Sequence, residues 1–195
     1  MNIGNIPARN AIQYPDKTAL IFEGERWTWR QFNSRINRLS QALMGLGLAK
    51  GDKVAILTEN VPAIVETNYA CAKAGIVYFP VMSRLFPKDI QHLVDLSDAR
   101  VLIFHPDFRG VVEPMRAELP KVATYIQIGG ETPPWAMAYE PFLQSGRDAA
   151  PDVEVLPDDV YCFICTGGTT GVSKLGMLSH LNALAAIHTS IGAMN

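Results

Sequence analysis

Val160-Tyr161-Cys162-Phe163-Ile164-Cys165 runs directly into Thr166-Gly167-Gly168-Thr169-Thr170-Gly171-Val172-Ser173-Lys174. The first stretch has the length and apolar composition of a buried β-strand. The second combines three glycines, three threonines and a lysine. Glycines admit an anion close to backbone N–H groups because no Cβ intervenes. Threonine hydroxyls add donors and the lysine adds a point charge. Strand, glycine loop and lysine in succession read as a phosphate cradle at the end of a sheet strand, with Thr166, Gly167, Gly168, Thr169, Thr170, Gly171 and Lys174 as its candidate residues. The common phosphate loop of NTPases needs Gly-x-x-x-x-Gly-Lys-Ser/Thr, and Val172-Ser173 before Lys174 excludes that pattern.

Upstream of the loop the chain alternates between two periodicities. Apolar runs at Val54 to Leu57, Ile76 to Val81, Val101 to Phe104 and Val122 to Ile128 have strand length. Between them lie helical patterns through the Val61 to Lys73 region, at Ile90, Leu93 and Val94, and at Phe108, Val111, Val112 and Met115. Strands that are apolar throughout, alternating with helices, predict an α/β fold in which a mainly parallel sheet is covered on both faces, a three-layer α/β/α architecture. Ahead of this unit, Thr18 to Phe22 and Arg26 to Thr28 flank Glu23-Gly24-Glu25 and predict a hairpin. A long helix follows. Thr28 and Gln31 have capping-box spacing, and Phe32, Ile36, Leu39, Leu43 and Leu46 recur at offsets of four and three before Gly47. Its other face, Arg30, Asn33, Arg35, Asn37 and Arg38, reads as solvated. The Pro- and Gly-rich stretch from Gly129 to Pro157 reads as a long surface connection within one domain, with Trp135 as a packing residue. After the loop, Ser179 has the position of an N-cap for a helix starting at His180.

Composition narrows the functional classes. A chain of 195 residues with 48% hydrophobic content can build a sizeable core. A formal net charge of −2, with no local Lys/Arg cluster, disfavours a nucleic-acid partner. The apolar runs are too short to span a bilayer, and Met1-Asn2-Ile3-Gly4-Asn5 lacks the regions of a signal peptide, so the cytoplasm is the expected compartment. Cys71, Cys162 and Cys165 are too few for a disulfide framework. An offset of three on a strand points Cys162 and Cys165 to opposite faces, which argues for structural thiols over a metal or redox half-site. His92, His105 and His188 are isolated, without Cys/His spacing for zinc, and no metal ligands are assigned.

The loop and its surroundings resemble the adenylate-forming superfamily of acyl-CoA synthetases, luciferases and nonribosomal-peptide adenylation domains. Gly168-Thr169-Thr170-Gly171 and the trailing Met177-Leu178-Ser179-His180 match its signature in register. Trp27-Thr28-Trp29-Arg30-Gln31-Phe32 is similar to its "T-Y-x-E-L" helix start, Gly51-Asp52-Lys53-Val54-Ala55-Ile56 to its "G-D-x-V-A" strand entry, and Ala72-Lys73-Ala74-Gly75-Ile76-Val77-Tyr78-Phe79-Pro80 to "K-A-G-A-x-Y-x-P". Ser173 stands where the family usually has proline, and Leu175 where it usually has glycine. A leucine is strained where φ must be positive.

The resemblance implies the N-terminal part of the family's large domain, with residues 1–195 as an incomplete subdomain whose partner surface promotes self-association. It implies an acid–thiol ligase of the fatty-acid type, in which a carboxylic acid and ATP form an acyl-adenylate and coenzyme A then takes the acyl group. By the same resemblance the loop residues and Lys174 hold the ATP phosphates, and Arg84 is a candidate for a phosphate of coenzyme A. No catalytic residue is assignable within 1–195, the Mg²⁺ ligand falls later in the chain, and these residues alone are expected to be inactive. Two alternatives stand beside this: a module that loads a carrier protein, and a non-catalytic member that only binds.

Overall fold

A computed structural model describes residues 2–166 and 174–193, with side chains as far as Thr189. Its centre is a seven-stranded sheet of β3 (Lys53–Leu57), β4 (Val77–Pro80), β5 (Ala99–Phe104), β6 (Thr124–Gln127), β7 (Met137–Ala138), β8 (Val160–Thr166) and β9 (Lys174–Ser179), in the order β7-β6-β5-β3-β4-β8-β9 among the described residues. All neighbours pair in parallel except β8 and β9, which are antiparallel. The α/β architecture follows from the side-chain period of two. Val54, Ile56, Val101, Ile103, Ile126 and Cys162 point into one apolar cluster, whereas Ala55, Leu57, Leu102, Phe104 and Phe163 point into another. A sheet buried on both faces needs a helical layer on each.

One layer contains α2 (Trp29–Gly45), α3 (Pro62–Ala74) and α6 (Tyr139–Ser145), whose Leu39, Leu43, Ala70, Cys71, Phe142 and Leu143 fill the first cluster. The other contains α4 (Pro87–Leu96) and α5 (Arg109–Met115), with Ile90, Leu93, Val94 and Val112 in the second. Each such fully buried aliphatic side chain stabilises the fold by about 1.5–3 kcal/mol. α2 starts as its sequence predicts: the Thr28 hydroxyl accepts from Gln31 N–H at 3.3 Å and the Gln31 side chain accepts from Thr28 N–H at 2.9 Å. α3 begins with Pro62 and ends at Gly75, whose φ of 67° is the left-handed conformation that suits glycine. Ahead of α2, β1 (Thr18–Phe22) and β2 (Glu25–Thr28) form the expected hairpin, closed by Glu23 and Gly24, both at positive φ.

Three expectations change in the folded chain. The polar face of α2 is solvated at Arg30, as expected, but covered over Arg35, Asn37 and Arg38. Arg35 bonds Glu66 of α3, Asn37 donates to Asp148 at 3.2 Å, and Arg38 donates to Gly146 O at 3.1 Å. The reason is tertiary: α3 and the chain around residues 146–150 cover that face. The stretch from Gly129 to Pro157 is correspondingly more than a surface connection. It contributes β7 at one end of the sheet, and Tyr139, Phe142 and Leu143 of α6 are buried against α2. Gly146 lies so close to α2 that a Cβ there would sit 1.9 Å from Arg38 O. An N-terminal helix, α1 (Asn5–Gln13), was not anticipated. Trp135 packs as expected, stacked on Phe104 at 5.4 Å between centroids with the Arg116 guanidinium 4.3 Å from its ring.

Lys73 on α3 is only 8% exposed and donates to Asn33 Oδ1 and Asn37 Oδ1, both at 2.6 Å. Burial lowers its pKa from 10.5 to about 8, against the opposing pull of Asp148. Between those two values the unfolded chain holds the proton that the folded chain has lost, so stability rises with pH across the window and the gain is lost as pH falls through the folded value. Urea midpoints measured from pH 7.5 to 10.5 are expected to rise less steeply in Lys73→Met than in the parent. Parallel slopes in the two proteins would refute the assignment.

Candidate functional site

β8 lies beside β4 in parallel register, with Tyr78 opposite Cys162. Its carboxyl end, at Thr166, therefore emerges on the same side of the sheet as the ends of β3, β4, β5 and β6. In open α/β sheets that is the side on which ligands bind. The chain returns as β9, and the antiparallel ladder runs from Val160 opposite Ser179 to Thr166 opposite Lys174. The Thr166 hydroxyl donates to the Lys174 carbonyl at 3.3 Å. Both side chains are exposed. Gly167, Gly168, Thr169, Thr170 and Gly171, with Val172 and Ser173, lie outside the described residues. The two flanking members of the candidate cradle are thus brought together, where the chain leaves β8 and returns as β9.

Leu175 occupies an extended position in β9 opposite Cys165, without positive φ. The strain that leucine would suffer in the left-handed region does not arise. Gly176 is likewise without positive φ, and a Cβ there would make only ordinary contacts, 3.6 Å from Ile164 O. Cys162 and Cys165 face opposite layers, as an offset of three requires; Cys162 is buried and Cys165 half-buried. Arg84 is exposed in the connection between β4 and α4, on the carboxyl side of the strand adjacent to β8.

Behind the hairpin, α7 (His180–Ala193) begins where β9 ends. Ser179 caps it as expected: Asn182 N–H donates to Ser179 Oγ at 3.2 Å, and Asn182 Oδ1 accepts from Ser179 N–H at 3.0 Å. His180 is 1% exposed and its Nδ1 accepts from Ile3 N–H at 3.2 Å. That bond requires the neutral ring with its proton on Nε2. Burial lowers the His180 pKa, partly offset by the Asp159 carboxylate.

A second feature on the carboxyl side escaped the sequence reading. Strands β4 and β5 leave β3 on opposite flanks, so their connections diverge above it. A cleft of about 610 Å³ opens near that switch point, lined among others by Trp27, Arg35, Glu66, His105, Gly130 and Glu140. In its wall, Arg35 donates to Glu66 through Nε and, at 3.1 Å, through Nη2, and to Glu140 Oε1 at 2.6 Å. Tyr139 OH donates to Glu66 Oε2 at 2.9 Å. Burial opposes the Arg35 charge, but the bonds to Glu140 and Glu66 outweigh it and raise the guanidinium pKa further. The available signal was Glu66 itself, an ionisable residue within the otherwise apolar Ala63-Ile64-Val65 and Tyr69-Ala70-Cys71 surroundings of α3.

Comparison with known proteins adds the lineage. The family model described as "AMP-binding enzyme" matches residues 7–194. The chain is 34% identical to a feruloyl-CoA synthase of Amycolatopsis sp over 92% of its own length and 34% of that protein's. It is 34% identical to a long-chain-fatty-acid–CoA ligase of Thermus thermophilus, over 84% of this chain and 30% of that one. Among solved structures, the anthranilate CoA ligase AuaEII in complex with anthranoyl-AMP superposes with a TM-score of 0.89 at 26% identity, covering 92% of this chain and 35% of that one. The chain thus spans about a third of the length of these relatives. No helix among the described residues is long and apolar enough to cross a membrane. A family match that runs from residue 7 to residue 194 takes in the whole sheet and the hairpin at its end, and the chain belongs to the AMP-binding enzyme family.

Proposed function

We propose that the whole protein is an ATP-dependent, AMP-forming acyl-CoA ligase and that this chain supplies its phosphate-holding hairpin. The observation that carries the proposal is the pairing of Thr166 with Lys174 at the carboxyl end of β8, in a chain matched by the AMP-binding family across 7–194. In the first step a carboxylate oxygen of the acid attacks the α-phosphorus of ATP. The bond to the bridging oxygen breaks, and pyrophosphate leaves with the electron pair. In the second step the coenzyme A thiolate attacks the acyl carbon and AMP departs. Thr166, the loop through Gly171, and Lys174 orient the β- and γ-phosphates and offset their charge. Such a displacement is served mainly by positioning and electrostatics. Arg84 is proposed to meet a phosphate of coenzyme A. Mg²⁺ is proposed as a cofactor of the whole protein, with its ligand outside residues 1–195.

The acid is proposed to be a fatty acid, as the Thermus relative's name says of that protein. A second acceptor has specific support. The chain is also 32% identical, over 90% of its length, to a fatty acid–[acyl-carrier-protein] ligase, ScoC of Streptomyces coeruleorubidus. Carboxylate-dependent ATP–pyrophosphate exchange by the whole protein, across acetate, medium and long fatty acids and aryl acids, tests the first step. Exchange with fatty acids is expected. Exchange confined to aryl acids would displace the fatty-acid assignment, and no exchange with any acid would remove the ligase reading. Supplying coenzyme A or an acyl-carrier protein as acceptor then separates the two second steps.

A further inference from the structure

We propose that His180 is a positioning residue for the phosphate-holding hairpin, and that it acts by tying the base of that hairpin to the N-terminal segment through the Ile3 amide. The inference rests on the reading of Thr166 to Lys174 as the phosphate loop.

The hairpin has few backbone attachments to the rest of the sheet. On the sheet side, β8 meets β4 at the single register pair Tyr78–Cys162, with the Phe163 ring 6.3 Å from that of Phe79. On the other side, β9 has no strand beyond it among the described residues. Six residues separate Val160 from Thr166, so base and tip are roughly 20 Å apart. Cys162 stands two residues from the base and four from the tip. A rotation about it therefore moves Thr166 and Lys174 about twice as far as it moves Ser179. Slack at the base is therefore about doubled at the tip, so a steady tip needs a firmly held base.

The base is held at His180. Its Nδ1 accepts the Ile3 amide at 3.2 Å inside the protein, and its ring lies 5.2 Å from that of Tyr161 on β8. Tyr161 in turn donates its hydroxyl to Asn68 of α3. The His180 and Leu181 amides bond to Asp159 O at 3.1 Å and Pro157 O at 2.8 Å, which joins the start of α7 to the entry of β8. The other end of the tie is equally constrained. Ile3 is 3% exposed, and Asn2 Nδ2 donates to Val155 O at 3.3 Å. Gly4 lies against the α3 backbone so closely that a Cβ would come within 2.7 Å of Lys73 N. Residues 2–4 are thus seated on the same helix that receives Tyr161. His180 closes a loop of contacts from α3 through the N-terminal segment to the hairpin and back. An acceptor at that point is required, because a buried amide without a partner costs free energy comparable to a lost hydrogen bond.

Two substitutions divide the roles of the side chain. His180→Phe keeps a ring against Tyr161 and removes the acceptor; His180→Asn keeps an acceptor at the Nδ1 branch and removes the ring. In the whole protein, His180→Phe is expected to raise KM for ATP in pyrophosphate exchange about five-fold with kcat within about two-fold, and His180→Asn to stay near the parent. Hydrogen exchange supplies the second readout: the Ile3 amide loses protection in His180→Phe and keeps it in His180→Asn, while the β5 amides remain protected in both and report an intact sheet. Equal loss of ATP affinity in the two variants would overturn the proposal in favour of ring packing. So would an unchanged KM in His180→Phe despite an unprotected Ile3 amide. Lys174→Ala runs alongside. If it leaves exchange untouched, the phosphate-loop reading fails and the role given to the tie fails with it. If it impairs exchange while His180→Phe does not, the tie alone is refuted.

Discussion

Lys174→Ala is expected to lower kcat/KM for carboxylate-dependent ATP–pyrophosphate exchange by about 100-fold, equivalent to roughly 2.7 kcal/mol of transition-state stabilisation. Lys174 is the first residue of β9, opposite Thr166, at the tip of the hairpin. An exposed lysine there contributes little to folding, and the thermal midpoint should stay within the range of an ordinary surface substitution, about 0.5 kcal/mol. The expected signature is lost exchange in a protein of parental stability. Lys174→Arg keeps the charge but replaces a compact ammonium by a wide planar fork, so partial recovery is expected. Thermal melts and exchange kinetics on the same preparations check both points. Full exchange activity in Lys174→Ala would remove this residue from phosphate binding.

Arg35→Ala is expected to be the most destabilising of the substitutions considered, by about 3 kcal/mol, because it leaves a buried carboxylate without its counter-charge. Glu66 is 2% exposed and accepts two bonds from Arg35, leaving only Tyr139 OH at 2.9 Å once the guanidinium is gone. Glu66→Gln should cost less than Arg35→Ala, as it removes the charge while keeping an acceptor for Tyr139. Urea denaturation of the three proteins at neutral pH is the test. A change below about 1 kcal/mol in Arg35→Ala would show that Arg35 is not the partner that holds Glu66.

The sheet and its helices were legible because local rules and tertiary demands agree along most of the chain. Thr28 and Gln31 cap α2 by their own spacing, and Val54 to Leu57 or Val101 to Phe104 need no context to read as doubly buried strands. Legibility failed where partners are distant in sequence. Arg35, Asn37 and Arg38 have the look of a wet face until Glu66, Asp148 and Gly146 arrive from elsewhere. α1 has no side-chain cap at Gly4 and buries only Pro7, so its local signal is faint. β9 was hidden by the loop motif itself. Lys174 to Ser179 were read for the signature they carry, although the antiparallel return to β8 explains why Leu175 is harmless. For the candidate site, residue types announced the cradle, whereas His180 stands in the sequence as the end of the Met177-Leu178-Ser179-His180 signature and a helix start. Its tie to Ile3 spans 177 positions, and no periodicity reports such a contact.

That span also sets an order of events during synthesis. Ile3 is made before every strand of the sheet, and its amide receives its acceptor only after 177 more residues have been added. At about 5–20 residues per second, the delay is roughly 10–35 s. β3, β4 and β5 are all made within that interval, so a segment made ahead of these strands is secured only after them.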